Sequence, residues 1–515
     1  MLFNSHVFIF LFLPIVFIGF RLLSRHAPLD VAIAWLVVGS LVFYGWWNPA
    51  YLWLIVGSIG FNYGIGEWMG RRAKAHRKPL LIVGVVGNLS VLGYFKYYEF
   101  FLDTVARLSG GDLVAEKILL PLAISFFTFQ QITYLVDLYQ DKVEDHNILH
   151  YMLFVVFFPQ LIAGPIVHHT EILPQIKQSR FMRLYWGDLA KGMAVFSIGL
   201  FKKVGIADQV AGYSTPIFDA AASGTAPALI EAWMAAIAYT FQIYFDFSGY
   251  SDMAIGLALM FGIVLPLNFD SPYKAASIID FWRRWHMTLS RFLRDYLYFP
   301  LGGGQVGNRR HFANIMIVML LGGLWHGAGW TFVAWGGLHG LYIVANHGWR
   351  QVRPCEPGIL EVYLGRCMTL LAVIVAWVVF RAEGWATATS MLSGMVGLNG
   401  VTLNYTHFAP LNALLPIGDW LAAGGVRFDI IPVFSGGKQI LLFAVLLGIV
   451  WFLPNTQELV SLHRGRKLQA AAKAYTRRID WGWRPSAAWG VVVASLFLAG
   501  AYSLGGTSEF LYFQF

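Results

Sequence analysis

The chain has few charged residues: Asp, Glu, Lys and Arg make up 13% of its 515 positions, whereas 57% are hydrophobic. A soluble domain of this length needs far more charge to cover its surface, so the composition excludes a soluble fold. Apolar runs near the length of a bilayer crossing recur along the chain. They predict roughly ten to fourteen membrane elements, some of them partial. The lipid bilayer is therefore the first expected partner.

Cysteine is also scarce, with Cys355 and Cys367 the only two. Two thiols make neither a disulfide framework nor a metal signature. The sequence also lacks a Walker loop, a dinucleotide fingerprint, an HExxH motif and a serine-hydrolase elbow in suitable context. We therefore expect no bound cofactor and no metal, and any chemistry falls to histidine and to the shape of the site.

Acidic residues are fewer than basic ones, 28 against 37, which gives a formal net charge of +9. The basic residues cluster in short segments between apolar runs, a pattern that indicates cytoplasmic loops rather than a nucleic-acid partner. Arg71–Lys78 and Leu462–Arg484 are the clearest such segments. The N-terminus, which has no cleavage site after its first apolar run, is expected outside as part of a retained helix. The tail that ends at Phe515 is expected to be extracytoplasmic.

Two histidines stand in unusual surroundings. His286 follows the sequence Asp280-Phe-Trp-Arg-Arg-Trp, and His326 lies in Leu321-Gly-Gly-Leu-Trp-His-Gly-Ala-Gly-Trp330. Imidazole suits proton transfer near neutral pH, and an ionisable group at membrane depth indicates function. The glycines around His326 would let backbones or a ligand approach closely, with Trp325 and Trp330 walling a slot. The alternatives are a satisfied core histidine at 326 and an interfacial amphipathic helix at 286.

Arginines beside His286 could bind an anionic donor. Arg283 and Arg284 precede it directly, and Arg291 and Arg294 follow. A guanidinium recognises phosphate or carboxylate well. On one continuous helix, Arg284, Arg291 and Arg294 would share roughly one face. We therefore predict a donor-binding surface on the cytoplasmic side.

Two further motifs are polar. Asp246 and Asp252 could orient an imidazole or meet the arginines, although a polar contact between helices is an equal alternative. The segment Phe158-Pro-Gln-Leu-Ile-Ala-Gly-Pro-Ile-Val-His-His169 predicts a helix break at Gly164-Pro165. His168 and His169 are candidates to line the substrate path. The charge density between Phe245 and Pro300 predicts amphipathic, re-entrant or cavity-lining elements rather than clean spans.

Four segments together resemble the membrane-bound O-acyltransferase family, most closely its bacterial polysaccharide branch of the alginate O-acetylation type. They are Phe157–Pro165, Tyr244–Gly256, Phe281–Tyr298 and Leu321–Trp330. The likeness runs from the first residues to the last. The alginate-type branch commonly has an arginine near position 168, where this chain has His168, and this difference leaves open the electrostatics of that region.

The resemblance implies an all-α polytopic membrane fold: a ring of tilted transmembrane helices with re-entrant or amphipathic elements around a central funnel. It implies one integral membrane domain over residues 1–515, with core motifs in 118–345 and C-terminal spans in 363–515, in the bacterial inner (cytoplasmic) membrane. His326 corresponds to the principal catalytic histidine, a general base, and His286 to a second one. The implied donor is acetyl-CoA. The implied acceptor is an exported polysaccharide, reached through a periplasmic partner of the SGNH type.

The C-terminal tail, Phe510-Leu-Tyr-Phe-Gln-Phe515, resembles an aromatic partner motif whose tyrosine carries the acyl group transiently, which makes Tyr512 a third catalytic candidate. The alternative is a residual protease-cleavage tag. Other functions stay open as well: a proton-coupled transporter or flippase, or a scaffold of a polysaccharide export complex. The acceptor could be alginate, acetylated cellulose, peptidoglycan or another exopolysaccharide.

Overall fold

The structure is a computed structural model and describes residues 1–110, 118–143, 145, 147–353, 357–404, 408–409, 412, 417–429, 436–462, 482–505 and 511. These residues are predominantly helical, which confirms the all-α prediction. In the first half of the chain the helices are α1 Leu13–His26, α2 Leu29–Gly45, α3 Leu52–Gly70, α4 Arg77–Leu92, α5 Tyr98–Ser109, α6 Ile124–Tyr139, α7 Ile148–Val156, α8 Phe158–Leu161, α9 His169–Ile176, α10 Ser179–Met182, α11 Trp186–Leu200, α12 Asp208–Ala222 and α13 Leu229–Met260.

The second half continues with α14 Ile278–Arg284, α15 Met287–Leu293, α16 Asn308–His326, α17 Trp330–Val352, α18 Ile359–Arg381, α19 Trp385–Met395, β1 Val401–Asn404, α20 Gly418–Ala423, β2 Val426–Asp429, α21 Gly437–Phe452, α22 Thr456–Val460 and α23 Ala487–Tyr502. Short π-helical segments adjoin α1, α4, α11 and α15 at Phe8–Phe12, Gly93–Tyr97, Phe201–Ala207 and Arg294–Tyr298. Strands β1 and β2 pair in parallel, Val401 opposite Val426, a small sheet that the sequence did not predict.

Among the described residues, four helical stretches are long and apolar enough to cross a membrane: Phe8–His26, Lys74–Ser109, Ile359–Arg381 and Ala487–Gly505. Helices α2 and α21 are apolar but shorter. Helix α23 leaves large apolar side chains such as Val491 and Leu498 exposed. Water would penalise that exposure, whereas lipid favours it. The chain is a multi-pass membrane protein.

The chain divides into two compact units. Unit 1 comprises residues 1–203, 247–268 and 456–506, and its core is aromatic. Phe43 and Phe158 pack at 5.7 Å between ring centroids, and Phe3 stacks on Tyr250 at 4.6 Å. Such contacts bury large apolar areas and constrain geometry as well.

Glycines bring α11 and the second part of α13 into backbone contact within unit 1. A Cβ added at Gly192 would lie 2.6 Å from the carbonyl oxygen of Gly256, and one at Gly199 would lie 2.6 Å from that of Gly249. The reverse distances are 2.6 and 2.8 Å. Both pairs are seven residues apart on each helix, so they stack on one face. No larger residue fits at this seam.

Helices of unit 1 also share a buried amide network. Asn62 and Asn88 exchange hydrogen bonds of 3.1 and 2.6 Å, and Asn62 also donates to Gln131 at 3.0 Å. Gln131 donates to Ser58 at 2.8 Å and accepts from Tyr151 at 3.2 Å. Paired polar groups of this kind specify which helices meet inside an apolar medium.

Unit 2 comprises residues 204–246, 269–455 and 507–515. Its central element is the hairpin of α16 and α17, in which Gly323 and Gly336 face each other: a Cβ on Gly323 would lie 2.2 Å from the carbonyl oxygen of Phe332, and one on Gly336 the same distance from that of Met319. The prediction of close backbone approach is confirmed at Gly323. At Gly327 the close neighbour is a side chain rather than backbone, because a Cβ there would lie 2.2 Å from the Phe332 ring.

The middle segment matches its prediction only in part. The first part of the segment that begins at Phe245 is not irregular, because Leu229–Met260 is one helix of 32 residues. Asp252 does not interrupt this helix, because Lys202, which lies outside α13, donates a hydrogen bond to its carboxylate. Beyond Met260 the chain becomes irregular as predicted, with the short helices α14 and α15. The break at Gly164-Pro165 is confirmed, because α8 ends at Leu161 and α9 begins at His169.

Candidate active site

His286 sits where the chain changes direction. Helix α14 is capped by the Ser277 hydroxyl, which accepts from the Asp280 backbone N–H at 3.2 Å, and it ends at Arg284. Trp285 is extended, and His286 has φ 43° and ψ 53° before α15 begins at Met287. The left-handed region is uncommon for a non-glycine residue and costs about 1–3 kcal/mol. The surrounding packing therefore holds the fully buried imidazole of His286 in one place.

His326 is the last residue of α16. Gly327 follows in an extended conformation, and Gly329 caps α17. The side chain of His326 is 9% exposed. The tight turn between the two helices thus presents this imidazole at the end of a glycine-packed hairpin.

The two histidines that the sequence singled out meet in unit 2. Their ring centroids are 6.3 Å apart. Trp325 contacts both, at 6.1 Å from His286 and 5.0 Å from His326. Trp335 and Phe380 complete the surroundings of His326 at 5.1 and 5.4 Å. Trp377 packs against Trp335 at 5.7 Å and against Phe380 at 5.3 Å. We call Trp325, Trp335, Trp377 and Phe380 the aromatic cluster. An imidazole in its neutral form can accept a proton, so the two histidines provide candidate bases.

Trp330, which the sequence suggested as the second wall, is half exposed and lies at the start of α17. Trp335 takes that place because it is buried and contacts His326. No pattern in the sequence pointed to Trp377 or Phe380, and Trp335 was not among the predicted site residues. One sequence pattern could have indicated Trp335: it lies four residues before His339 beside glycines, a spacing that places both side chains on one face of a helix.

His339 is a third buried histidine and was also missed. It is fully buried on α17 and stacks on Phe281 at 6.0 Å with an interplanar angle of 13°. The indole N–H of Trp282 donates to its Nδ1 at 3.2 Å, and Trp335 packs against it at 4.8 Å. A chain of contacts therefore leads from α14 through His339 and Trp335 to His326.

The arginines do not share one helical face. The prediction for Arg284, Arg291 and Arg294 assumed a continuous helix, and it is wrong because the left-handed residue His286 separates α14 from α15. Arg284 binds Asp280 at 2.9 Å and lies 3.8 Å from Asp270. Arg294 pairs with Asp295 at 2.7 Å. Arg291 is partly buried on α15.

Arg283, by contrast, is exposed and lies within electrostatic reach of His347 on α17. Arg350 acts on the same imidazole, and His311 packs against it at 5.0 Å between ring centroids. Tyr298 completes the group with its hydroxyl 2.7 Å from Nδ1 of His311. We call Arg283, His311, His347 and Arg350 the basic group. Its two arginines place positive charge at the end of the α16–α17 hairpin opposite to His326.

The two aspartates of α13 differ in their surroundings. Asp252 belongs to unit 1, accepts from Lys202 at 2.7 Å and from Thr456 at 2.6 Å, and thus forms the polar contact between elements that the sequence offered as the alternative. Asp246 belongs to the part of α13 in unit 2 and is buried.

The adjacent histidines lie in unit 1 at the start of α9. His168 is its N-cap residue, and its backbone N–H donates to Glu171 at 3.0 Å. His169 lies 3.4 Å from Asp137. Both imidazoles are buried, with His168 at 9% exposure.

Tyr512 lies outside the described residues. Its neighbour Leu511 is described and buried, and it belongs to unit 2, which also holds His286 and His326. No group of three or more His, Cys, Asp or Glu side chains that could hold a metal ion occurs in the described part of the chain.

Comparison with known proteins identifies relatives of the whole chain. The family model of the membrane-bound O-acyltransferases matches residues 106–381. Peptidoglycan O-acetyltransferase of Helicobacter pylori is 45% identical, over 78% of this chain and 81% of that protein. Probable alginate O-acetylase AlgI is 38% identical in Azotobacter vinelandii, over 100% of both chains. The protein of that name in Pseudomonas aeruginosa is 41% identical, over 80% of this chain and 78% of its own length.

Proposed function

This chain belongs to the membrane-bound O-acyltransferase family and is an O-acyltransferase, and we propose that it moves an acetyl group from cytoplasmic acetyl-CoA toward an exported polysaccharide. The relatives named as O-acetylases of alginate and of peptidoglycan support the acetyl group and the polysaccharide class of acceptor. A periplasmic partner of the SGNH type completes the transfer. The protein works in the bacterial inner membrane with its C-terminal tail outside.

The observation that carries the proposal is the meeting of two separate motifs. His286 and His326 are 40 positions apart in sequence, yet their rings lie 6.3 Å apart within one aromatic cluster. A scaffold has no need to bury two imidazoles side by side, because each buried polar group costs free energy. A role in proton transfer during acyl transfer explains why both imidazoles are buried despite this cost.

In the reaction the neutral imidazole of His326 takes the proton of an acceptor hydroxyl while the oxygen attacks the carbonyl carbon of the thioester. The C–S bond then breaks, and the proton passes to the departing sulfur, so the products are an ester and a free thiol. His286 lies close enough to orient His326 or the reacting ester. The left-handed backbone at His286 limits its movement during these steps.

The basic group supplies a binding site for the phosphates of acetyl-CoA. Its residue His347 lies eight positions beyond His339 on α17, about 12 Å along the helix axis. An extended pantetheine arm covers such a span and would bring the thioester to the aromatic cluster. Among the four predicted arginines, Arg283 fits this role best because it forms no ion pair within the described part of the chain, whereas Arg284 and Arg294 pair with aspartates.

On the acceptor side, Tyr512 takes the acetyl group from the site and presents it to the periplasmic partner. An aryl ester has a good leaving group, so onward transfer is energetically reasonable. Leu511, the neighbour of Tyr512, is buried and belongs to the same unit as His286 and His326. His168 and Asp246 remain candidates for lining the path of the substrates.

The decisive experiment uses the full-length protein in lipid nanodiscs with [1-¹⁴C]acetyl-CoA, together with cells in which a deleted chromosomal copy is complemented. We expect radiolabel on the wild-type protein and ester-linked acetate on the isolated polysaccharide. His326→Ala should insert normally and lose about two to four orders of magnitude in transfer rate.

Normal polysaccharide acetylation by His326→Ala contradicts the role of this histidine and favours a scaffold. Ion-coupled flux in vesicles without any acyl donor favours a transporter instead. The matched control is His6→Ala, an exposed histidine near the N-terminus.

A further inference from the structure

Two buried N–H donors on α17 have no protein acceptor among the described residues. Nδ1 of His339 accepts the indole N–H of Trp282 at 3.2 Å, and an indole nitrogen can only donate. The proton of the neutral imidazole is therefore on Nε2. Within the described part of the chain, neither this Nε2–H nor the Nε1–H of Trp335 has a hydrogen-bond partner.

Both donors are held firmly and close together. His339 and Trp335 are one helical turn apart on α17, and their rings pack at 4.8 Å. Each side chain is 1% exposed or less. Phe281 stacks on the far side of His339, and Trp377 stacks on Trp335 at 5.7 Å with an interplanar angle of 16°. Neither donor can reach water by a small rotation.

Buried donors without acceptors cost free energy, and natural proteins keep them mainly where a ligand or a reacting group accepts the hydrogen bond. Trp335 also packs edge-to-face on His326 at 5.1 Å. His339 contacts Trp335 at 4.8 Å, and Trp335 lies next to the group that takes the acceptor proton. That is the place where the carbonyl oxygen of a thioester gains negative charge during attack.

We propose that His339 and Trp335 donate hydrogen bonds to the carbonyl oxygen of the acyl donor and stabilise the oxyanion that forms there. This inference rests on the proposed function. As the acceptor oxygen bonds to the carbonyl carbon, the carbonyl π electrons move onto oxygen, and the two N–H groups bind that charge. The C=O bond re-forms when the C–S bond breaks, and the donors gain and lose no proton.

The test compares variants that keep one nitrogen of His339 at a time. His339→Asn places an amide oxygen near the position of Nδ1. This variant therefore keeps an acceptor for Trp282 but removes the N–H donor at Nε2. His339→Gln places an amide N–H near the position of Nε2. Trp335→Phe removes the second donor and keeps most of the packing. Trp349→Phe, an exposed tryptophan on the same helix, is the control.

Full-length variants in nanodiscs are assayed for acetyl-CoA turnover and for the infrared carbonyl band of bound [1-¹³C]acetyl-CoA. His339→Asn and Trp335→Phe should each lower kcat by about 10²–10³-fold with little change in KM. The carbonyl band, lower in frequency in the wild type than in water, should rise in both. His339→Gln should recover part of the lost rate, and Trp349→Phe should match the wild type.

A purely structural role of His339 predicts the opposite order, in which Asn restores activity and Gln does not, and that order overturns the proposal. A wild-type carbonyl band at or above its frequency in water also overturns it, even when no variant folds. Normal turnover by both His339→Asn and Trp335→Phe refutes the proposal of the donor pair but leaves the proposed function intact. If the wild-type protein neither binds nor turns over acetyl-CoA, the proposed function is wrong and the donor pair fails with it.

Discussion

At His286 the backbone conformation and the side chain have separate roles. The left-handed φ of 43° turns the chain between α14 and α15, whereas the imidazole contacts the aromatic cluster. Asparagine tolerates this backbone region far better than a β-branched residue does. The two contributions can therefore be separated by choosing the replacement.

We expect His286→Asn to keep the fold and to lose about two to four orders of magnitude in acetyl transfer, because the backbone is accommodated but the imidazole is gone. His286→Val should instead destabilise the protein by about 1–3 kcal/mol, since valine resists positive φ. The loss of stability in His286→Val is measured by thermal unfolding, with size-exclusion chromatography as the readout of folded protein. Equal losses of stability in both variants would show that His286 serves only to pack the turn.

The arginines beside His286 should also differ from each other. Arg283→Glu places an acid in the basic group, so we expect KM for acetyl-CoA to rise by about tenfold or more with kcat largely retained, as expected when a contact binds substrate and transition state equally. Arg25→Glu, an exposed reversal at the end of α1, is the charge control. An unchanged KM in Arg283→Glu would make this arginine a topology signal only.

Arg284→Glu should behave differently, because the new carboxylate would face Asp270 and Asp280. The sequence alone predicts that this reversal weakens donor binding more than it disturbs folding. The ion pairs of Arg284 instead lead us to expect a lower unfolding temperature as the main effect. Combining Arg284→Glu with Asp280→Arg should restore stability if the pairing is responsible.

At the scale of elements, glycine decides which helices can touch. In unit 1 the carbonyl of Gly249 would meet a Cβ on Gly199 at 2.6 Å, so a side chain there must push α11 away from α13. We expect Gly199→Val to lower the unfolding temperature sharply and to reduce the yield of inserted protein. Gly212→Val on α12, where an added Cβ meets nothing within 4 Å, is the matched control and should be nearly neutral.

Equal behaviour of the two valine variants would mean that helix propensity, rather than helix contact, limits stability. In unit 2, Gly336 faces the backbone of α16 in the same way. There the contact also sets the position of Trp335 and His339 relative to His326. Element packing and site geometry therefore depend on the same glycines.

At the scale of the whole molecule, the tail tests whether one chain carries both the acyl-transfer site and the acyl carrier. We expect Tyr512→Phe to keep acetyl-CoA binding and stability and to lose polysaccharide acetylation, because only the phenolic oxygen is removed. Tyr502→Phe, a highly exposed tyrosine at the end of α23, is the control. Normal acetylation by Tyr512→Phe would make this residue a membrane-interface anchor.

Local sequence features were enough to predict the class of the molecule and its most informative residues. Few charges and long apolar runs require a membrane fold, and the residues that flank His286 and His326 are enough to single out both histidines. Gly164-Pro165 predicted a helix break that the structure confirms, because proline lacks the N–H that a helix needs. These features depend on local composition and backbone chemistry, which are visible in one stretch of chain.

The tertiary structure alone decided which groups meet. The pairing of Asp252 with Lys202, the ion pairs of Arg284, and the replacement of Trp330 by Trp335 beside His326 involve residues whose contacts come from separate elements. The continuity of α13 was also hidden, because its polar residues resemble a break until their partners are known. His339 illustrates the physical reason: its role depends on hydrogen bonds and ring contacts from α14 and α17, and sequence spacing does not specify contacts between helices.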